Sequence, residues 1–121
     1  KGWATSVFWD KNGLWTLGTD AALVRWDPLT GRQMRTIKIT AKEPNRLLAN
    51  DSFFVVIGSD HRVIVFNREE QTIGTTLDLT QRPFESATLA DNLLWLGYRK
   101  GGISSWDVTN GREGVTLPTK F

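Results

Sequence analysis

The side chains that could carry out catalysis or bind a metal are few in this sequence. His61 is the single histidine, and there is no cysteine. His61 has no second metal-binding side chain at helical or hairpin spacing, and no plausible nucleophile or orienting acid stands near it. The sequence therefore predicts that His61 is a solvent-exposed turn residue rather than a metal ligand or a catalytic base.

Two other short segments are candidates for chemistry, the acidic pair Glu69-Glu70 and the glycine pair Gly101-Gly102. Paired carboxylates serve glycoside hydrolysis, but adjacent ones in a surface turn usually only solvate it. The glycine pair is not followed by a helix or by Gly-Lys-Ser/Thr, so it does not form a phosphate loop. The sequence thus predicts no catalytic residue, no metal site and no cofactor, and it favours a protein without enzymatic activity.

Composition limits the class of protein further. The chain has 121 residues, 40% of them hydrophobic, with a net charge of +2 from 15 basic and 13 acidic residues. So small an excess of positive charge makes nucleic acid an unlikely partner. The longest apolar stretch, 50–58, has the length of a strand, so no membrane span is expected. The absence of cysteine excludes disulfides and slightly favours the cytoplasm or nucleus, and a first residue other than Met predicts an excised or processed piece.

A repeat of 40 residues runs along the chain and must position all of these side chains. Its clearest column is aromatic, Asp or Asn follows in the next position, and a Thr recurs ten residues after the aromatic residue. The three columns are Trp26, Phe66 and Trp106; Asp27, Asn67 and Asp107; and Thr36, Thr76 and Thr116. Gly18, Gly58 and Gly97 end three apolar runs. Gly18 and Gly58 stand eight residues before the aromatic column, whereas Gly97 stands nine residues before Trp106, which predicts one extra residue there. Several columns in register indicate duplication of one structural unit.

Each unit divides into four short strands, named a to d in chain order. In the first unit they are predicted at 5–9, 14–17, 23–26 and 32–39, with the Asn12-Gly13 hairpin signal between the first two. Four strands in about 40 residues, repeated, are typical of a β-propeller blade. The sequence predicts an all-β fold of three four-stranded antiparallel blades, at about 3–40, about 45–80 and about 85–118, that form part of a larger closed ring. A β-sandwich is the alternative, but it requires no such periodicity.

Strand c and the turn before it resemble the WD-repeat family. The resemblance rests on a dipeptide at the end of the strand and on an aspartate six residues before its aromatic member. These positions are Trp26-Asp27, Trp106-Asp107 and the degenerate Phe66-Asn67, with the aspartates Asp20 and Asp60. The resemblance implies a network in which this aspartate, a His, a strand-b Ser or Thr and the Trp lock the blade. The family's Gly-His pair is missing from every unit and blade 3 has Arg99-Lys100 in place of the aspartate, so packing is expected to contribute more.

The turns between strands c and d are also similar to a second propeller family, the PQQ-like repeats. Segments 27–32 (Asp-Pro-Leu-Thr-Gly-Arg) and 107–112 (Asp-Val-Thr-Asn-Gly-Arg) resemble the turn of those repeats. Because both families are propellers, the two resemblances imply the same fold.

Three blades are too few to close a propeller, because each blade packs both broad faces against neighbours around the ring. An uncovered face of roughly 300 Å² forgoes on the order of 8 kcal/mol of apolar burial. That loss rivals the stability of a small domain. We therefore expect closure either by further copies, as a homo-oligomer, or by additional blades of a longer chain.

One end of the propeller brings together a cluster of aromatic and basic residues from the b–c and d–a turns. Its members are His61, Arg62, Arg82, Phe84, Tyr98, Arg99 and Lys100. Aromatic residues with arginine are typical of interaction hot spots, and the cluster could also hold an acidic peptide or a nucleic acid backbone. Ordinary solvated turns are the alternative. Trp3, Trp9, Trp15 and Trp95 are expected to pack in the core or between blades.

Taken together, these patterns favour a non-enzymatic scaffold that binds protein partners, which is the usual role of WD-type propellers. A carbohydrate-binding propeller assembled from short chains is one alternative, with tryptophans stacked on sugars. A fragment of a quinoprotein-like enzyme is another, and it would need residues from further blades. The fold by itself does not decide among them.

Overall fold

The computed structural model describes residues 3–11 and 13–118, and every regular element within them is a β-strand. Blade 1 contains β1 (Ala4–Asp10), β2 (Gly13–Gly18), β3 (Ala22–Trp26) and β4 (Gln33–Lys38). Blade 2 contains β5 (Pro44–Ala49), β6 (Phe53–Gly58), β7 (Arg62–Asn67) and β8 (Thr72–Asp78). Blade 3 contains β9 (Phe84–Ala90), β10 (Leu93–Tyr98), β11 (Ile103–Asp107) and β12 (Glu113–Leu117).

Each blade is a separate four-stranded sheet in which every strand pairs with the next one along the chain, antiparallel throughout. Three separate sheets of this kind confirm the predicted fold class. The first turn of blade 1 ends at Gly13, whose φ of 118° suits a residue without a side chain. Asn12, the other half of that predicted hairpin signal, lies outside the described residues.

The pairing of β10 with β11 corrects the predicted register of blade 3. Leu94 pairs with Trp106, as Phe54 pairs with Phe66 in blade 2. Tyr98, rather than Gly97, therefore occupies the position of Gly58, and the prediction of an extra residue after Gly97 is wrong. The error came from aligning glycines by residue type, because a shift of one residue along a strand exchanges its two faces.

The core lies in two layers, one on each side of blade 2. Val55 and Ile57 pack toward blade 3, whereas Phe54 and Val56 pack toward blade 1. We call these contacts interface 2/3 and interface 1/2. Because both faces of β6 are covered, its sequence is continuously apolar instead of alternating.

The outer faces of blades 1 and 3 are exposed in this chain and carry apolar side chains. On blade 1 they include Val7 and Trp9, and on blade 3 Val115 and Leu117. Val7 and Trp9 correspond in β5 to Leu47 and Ala49, which are partly buried against interface 1/2. The same strand positions are thus covered in the middle of the chain and uncovered at its two flanks.

Candidate functional site

The predicted cluster lies at the end of the blades where the b–c and d–a turns meet. The connection between β8 and β9 is hydrogen-bonded to both neighbouring b–c turns. Leu79 N donates to His61 O at 3.2 Å, and Arg99 N donates to Pro83 O at 3.2 Å. The backbone therefore brings the turns of blades 2 and 3 together, as the sequence predicts.

Arg82 and Tyr98 form the most ordered part of this cluster. The guanidinium carbon of Arg82 lies 4.5 Å from the centroid of the Tyr98 ring, and its two terminal nitrogens donate to Glu113 at 3.0 and 3.1 Å. This bidentate pair raises the pKa of Arg82 and lowers the pKa of Glu113. The Tyr98 hydroxyl bonds to Ser104 Oγ and accepts from Trp106 Nε1 at 2.9 Å. Arg82 and Tyr98 thus close one end of interface 2/3.

Phe84 is the one predicted surface residue that the structure removes from the surface. It is 4% exposed and belongs to the core of interface 2/3, where its ring meets His61 edge-on at 5.0 Å. Phe84 begins β9 at the position that Pro44 occupies in β5, and both residues are buried. An apolar side chain at that point packs inward, so Phe84 supports the turn from beneath.

The remaining basic residues of the cluster are partly neutralised by neighbouring acids. Arg62 lies 3.3 Å from Asp60 and 3.7 Å from Asp78, and Arg99 lies 3.1 Å from Glu85. Lys100 is exposed in the same turn as Arg99. The use of this cluster as a binding surface remains a prediction.

The repeated dipeptides act as structural anchors of the c–d turns. Asp27 and Asp107 each accept a hydrogen bond from the backbone N–H two residues later, at 2.9 and 2.8 Å. The Asn67 side chain accepts at 2.9 Å from the backbone N–H of Glu70, three residues later. The hydroxyl of Thr109 adds a bond that lowers the pKa of Asp107. These side chains mimic backbone turns and hold the hairpins.

Part of the network implied by the WD-repeat resemblance is present. In blade 1, Trp26 Nε1 donates to Thr16 Oγ1 on strand b at 2.9 Å, as that network requires. In blade 3, Trp106 Nε1 donates to Ser104 Oγ at 3.0 Å, but Ser104 lies on strand c, so this bond differs from the implied one. Phe66, at the corresponding position of blade 2, has no N–H to donate.

The b–c turns of blades 1 and 2 leave little room two positions before their aspartates. A Cβ at Gly58 would stand 2.7 Å from the backbone carbonyl oxygen of Lys42 and 2.9 Å from Asp60 Oδ1, so this position requires glycine. A Cβ at Gly18 would stand 2.7 Å from Asp20 Oδ1, and there only the Asp20 side chain would have to move. Blade 3 has Lys100 instead of aspartate, and its strand accommodates Tyr98.

A second site, which the sequence analysis missed, lies in interface 1/2 at the opposite end of the blades. Trp15 pairs with Arg25 across β2 and β3, and Arg25 pairs with Arg35 across β3 and β4. These three residues form one row that faces blade 2, where Arg68 and Gln71 meet it. The Arg35 guanidinium donates to the Gln71 amide oxygen. Three arginines thus converge between two blades.

Arg68 is the best-ordered member of this arginine group. Its nitrogens donate to Asp10 Oδ2 and to the carbonyl of Asn50, both at 2.6 Å. The side chains of Arg68 and Asp10 are each 9% exposed. The guanidinium also stacks over Phe54, 4.3 Å from the ring centroid. A buried ion pair therefore ties the first turn of blade 1 to blade 2.

Two donors beside this pair are buried without a hydrogen-bond partner, Trp15 Nε1 and Arg25 Nε. Both residues line a cavity of about 240 Å³, together with Arg35, Arg68 and Gln71. The repeat columns carried a signal for this site. Arg25 corresponds to Val65 and Arg68 to Val108 at the 40-residue spacing, so a charge replaces an apolar residue in each column.

Within residues 3–11 and 13–118, no group of three acidic or histidine side chains is placed to hold a metal ion. The same described part of the chain contains no helix long and apolar enough to cross a bilayer.

Comparison with known proteins identifies the fold. No family model and no curated protein matches the sequence. Among solved structures, the WD40 repeats of RRP9 match with a TM-score of 0.73 at 11% identity, over 98% of this chain and 39% of that one. BamB from Moraxella catarrhalis matches with a TM-score of 0.69 at 18% identity, over 95% and 34%. The computationally designed Ika4 protein matches with a TM-score of 0.75 at 22% identity, over 97% and 73%.

This chain has the β-propeller fold. The likeness to WD40 repeats confirms the predicted resemblance at the level of the fold. The chain spans 39% of the RRP9 structure and 34% of BamB, well under half of either.

Proposed function

We propose that these blades serve as a non-enzymatic scaffold for protein–protein interaction, within a propeller completed by further blades. The proposal rests on one observation. Side-chain positions that are covered in blade 2 are apolar and exposed on the outer faces of blades 1 and 3. Apolar faces of this kind are stable when another sheet packs on them.

The geometry of the two interfaces indicates how the outer faces are covered. Inside the chain, the face of blade 2 that carries Phe54 and Val56 packs on the face of blade 1 that carries Trp15 and Leu17. The outer face of blade 1 corresponds to the first of these faces, and the outer face of blade 3 to the second. The chain thus exposes the two complementary halves of one interface, which permits head-to-tail closure by another copy or by further blades.

Light scattering combined with size-exclusion chromatography tests the part of this proposal that concerns completion of the propeller. We expect a closed oligomer or, where the missing blades belong to the same polypeptide, an aggregating species. Trp9→Glu places a charge on the outer face of blade 1 and should dissociate the oligomer or alter the aggregation. Leu29→Glu is the control, because Leu29 is 94% exposed and lies in a c–d turn outside the strands of blade 1.

A monodisperse monomer would contradict the proposal if hydrogen exchange showed that both outer sheets were already protected. Equal effects of Trp9→Glu and Leu29→Glu on the oligomeric state or on aggregation would contradict it as well.

The exposure of two tryptophans favours carbohydrate binding as a second candidate. Trp3 is 77% exposed and Trp9 is also exposed, so both rings are available to stack on sugars, whereas Trp15 is buried. A glycan array distinguishes the candidates. Strong saccharide binding that Trp3→Ala and Trp9→Ala abolish would replace the scaffold, and the absence of binding would remove this candidate.

A further inference from the structure

The arginine group of interface 1/2 has the composition of an oxyanion site. We call the cavity lined by Trp15, Arg25, Arg35, Arg68 and Gln71 the arginine pocket. A guanidinium offers a planar fork of donors that matches a carboxylate or a phosphate. Three such groups border one cavity here, where Arg68 already donates to Asp10 and to the Asn50 carbonyl and Arg35 donates to Gln71.

Two buried donors of the pocket have no partner. Trp15 is 4% exposed, yet its indole N–H makes no hydrogen bond. Arg25 Nε is also buried and also makes no hydrogen bond. A buried donor left unsatisfied costs free energy, so native proteins usually supply an acceptor. Both residues line the arginine pocket, so a ligand with an acceptor atom bound there would lie beside them.

Interface 2/3 provides an internal reference for this interpretation. The residues corresponding to Trp15, Arg25 and Arg68 there are Val55, Val65 and Val108, all of them buried in an apolar core. The propeller frame therefore closes this position without any charge. Arginines at these positions are not needed for packing, which favours a binding role.

The size of the pocket limits its ligand. A volume of about 240 Å³ lies below the range of about 300–1,000 Å³ that is usual for small-molecule sites. It suits one charged side-chain headgroup. Asp51 and Glu69 also line the pocket, but both are exposed, so solvent screens their repulsion of an anion.

We propose that the arginine pocket binds an oxyanion group, a carboxylate or a phosphate, presented by a side chain of a partner polypeptide. The choice of a polypeptide rests on the proposed scaffold function. The assignment of an oxyanion as the ligand depends only on the residues that line the pocket.

The indole N–H resonance of Trp15 provides a direct test. The protein is labelled with nitrogen-15, and the Trp15 peak is assigned by its loss in Trp15→Phe. Three capped tripeptides, Gly-Glu-Gly, Gly-Gln-Gly and Gly-phosphoserine-Gly, are titrated separately, followed by acetate and inorganic phosphate. We expect the Trp15 peak to move downfield and saturate with the glutamate or phosphoserine peptide, at least tenfold more tightly than with the glutamine peptide.

Variants taken from the repeat itself provide the control. Arg25→Val copies Val65 and Arg35→Thr copies Thr75, so each variant places in blade 1 a residue that blade 2 already accommodates. Each should weaken binding at least tenfold. Arg32→Val is the matched control, because Arg32 is exposed in a c–d turn outside the pocket, and it should bind as the unmodified protein does.

Three results would overturn the proposal. The first is equal binding of the glutamate and glutamine peptides, and the second is unchanged binding in both Arg25→Val and Arg35→Thr. The third is a shift with free acetate or phosphate but with no peptide, which would exclude a polypeptide as the source. The free anions test the pocket independently of the scaffold function, so failure of one does not imply failure of the other.

Discussion

The two interfaces between blades share one backbone plan and differ in what fills them. At the a–b and c–d end, interface 2/3 is closed by Val55, Val65 and Val108, whereas interface 1/2 has Trp15, Arg25 and Arg68 in the corresponding positions. One interface is dry and apolar there. The other encloses a buried ion pair and two unpartnered donors.

Interface 2/3 is also the filled one at the b–c and d–a end, but here polar side chains fill it. In interface 2/3, Tyr98 and Arg82 fill the space and are bonded to Ser104 and Glu113. In interface 1/2, Gly58 and Lys42 stand at the corresponding positions and border a cleft of about 440 Å³. Interface 2/3 is thus closed at both ends, and interface 1/2 is open at both.

This contrast indicates that strand pairing stabilises each blade independently of the side chains between blades. Backbone pairing and the anchored turns are nearly the same in all three sheets. Side chains that face a neighbouring blade are therefore free to vary between packing and binding, and interface 1/2 is where this chain uses that freedom.

Exchanging one residue between the interfaces should give the largest effect. Val65→Arg places a charge in the dry interface with no acid provided for it, and we expect a loss of roughly 4 kcal/mol in the free energy of unfolding, or failure to fold. For Arg25→Val, the reverse exchange, we expect a free energy of unfolding within about 1 kcal/mol of that of the unmodified protein, or higher. Urea unfolding measures both, and equal destabilisation by the two variants would show that the interfaces do not differ in this way.

Removing the buried cation of interface 1/2 should give a smaller loss. Arg68→Val takes the guanidinium from Asp10, Phe54 and the Asn50 carbonyl, and we expect about 3 kcal/mol of destabilisation because the carboxylate stays buried. The double variant Asp10→Asn with Arg68→Val copies the Asn50 and Val108 of interface 2/3 and should recover most of that loss. A double variant as unstable as Arg68→Val in urea unfolding would show that the ion pair is not what distinguishes the two interfaces.

Acid should weaken interface 2/3 slightly through Glu113. Arg82 lowers the pKa of this carboxyl in the folded protein, so its contribution is present above the ordinary pKa of a glutamate and is lost as the pH falls through the lowered value. Because the pair is partly exposed, we expect Glu113→Gln to cost less than about 1 kcal/mol at pH 7. The difference between the two proteins should shrink when unfolding is measured at pH 3.

Glu85→Gln, which removes the exposed contact with Arg99, is the control for this experiment. A Glu113→Gln difference that is the same at pH 7 and pH 3 would show that Arg82 does not hold the carboxylate.

Much of the fold was predictable from residue type and spacing. The aromatic column of Trp26, Phe66 and Trp106 and the Asp or Asn after it marked the strand ends and turns, because both are decided by local backbone chemistry. The register of blade 3 was not predictable from Gly97, because a glycine in a strand does not show which face its neighbours occupy.

The candidate sites were predictable only in part. The turns of His61, Arg82 and Arg99 follow from blade topology, and the structure places them at one end. The burial of Phe84 and the acid partners of the arginines depend on which neighbouring strand lies opposite. The arginine pocket was missed because Arg25, Arg35 and Arg68 come from three different strands or turns and have no common sequence motif.

Residue types and their spacing were sufficient to predict the number of blades, the order of their strands and the apolar character of the two outer faces. These properties follow from short-range periodicity, since alternation and turn residues act within a few positions of the chain. The folded structure was needed to show which charges are paired, which donors are buried and where the cavities lie. Several of those properties depend on contacts between residues far apart in the chain, such as Arg35–Gln71, 36 positions apart, and Arg68–Asp10, 58 positions apart.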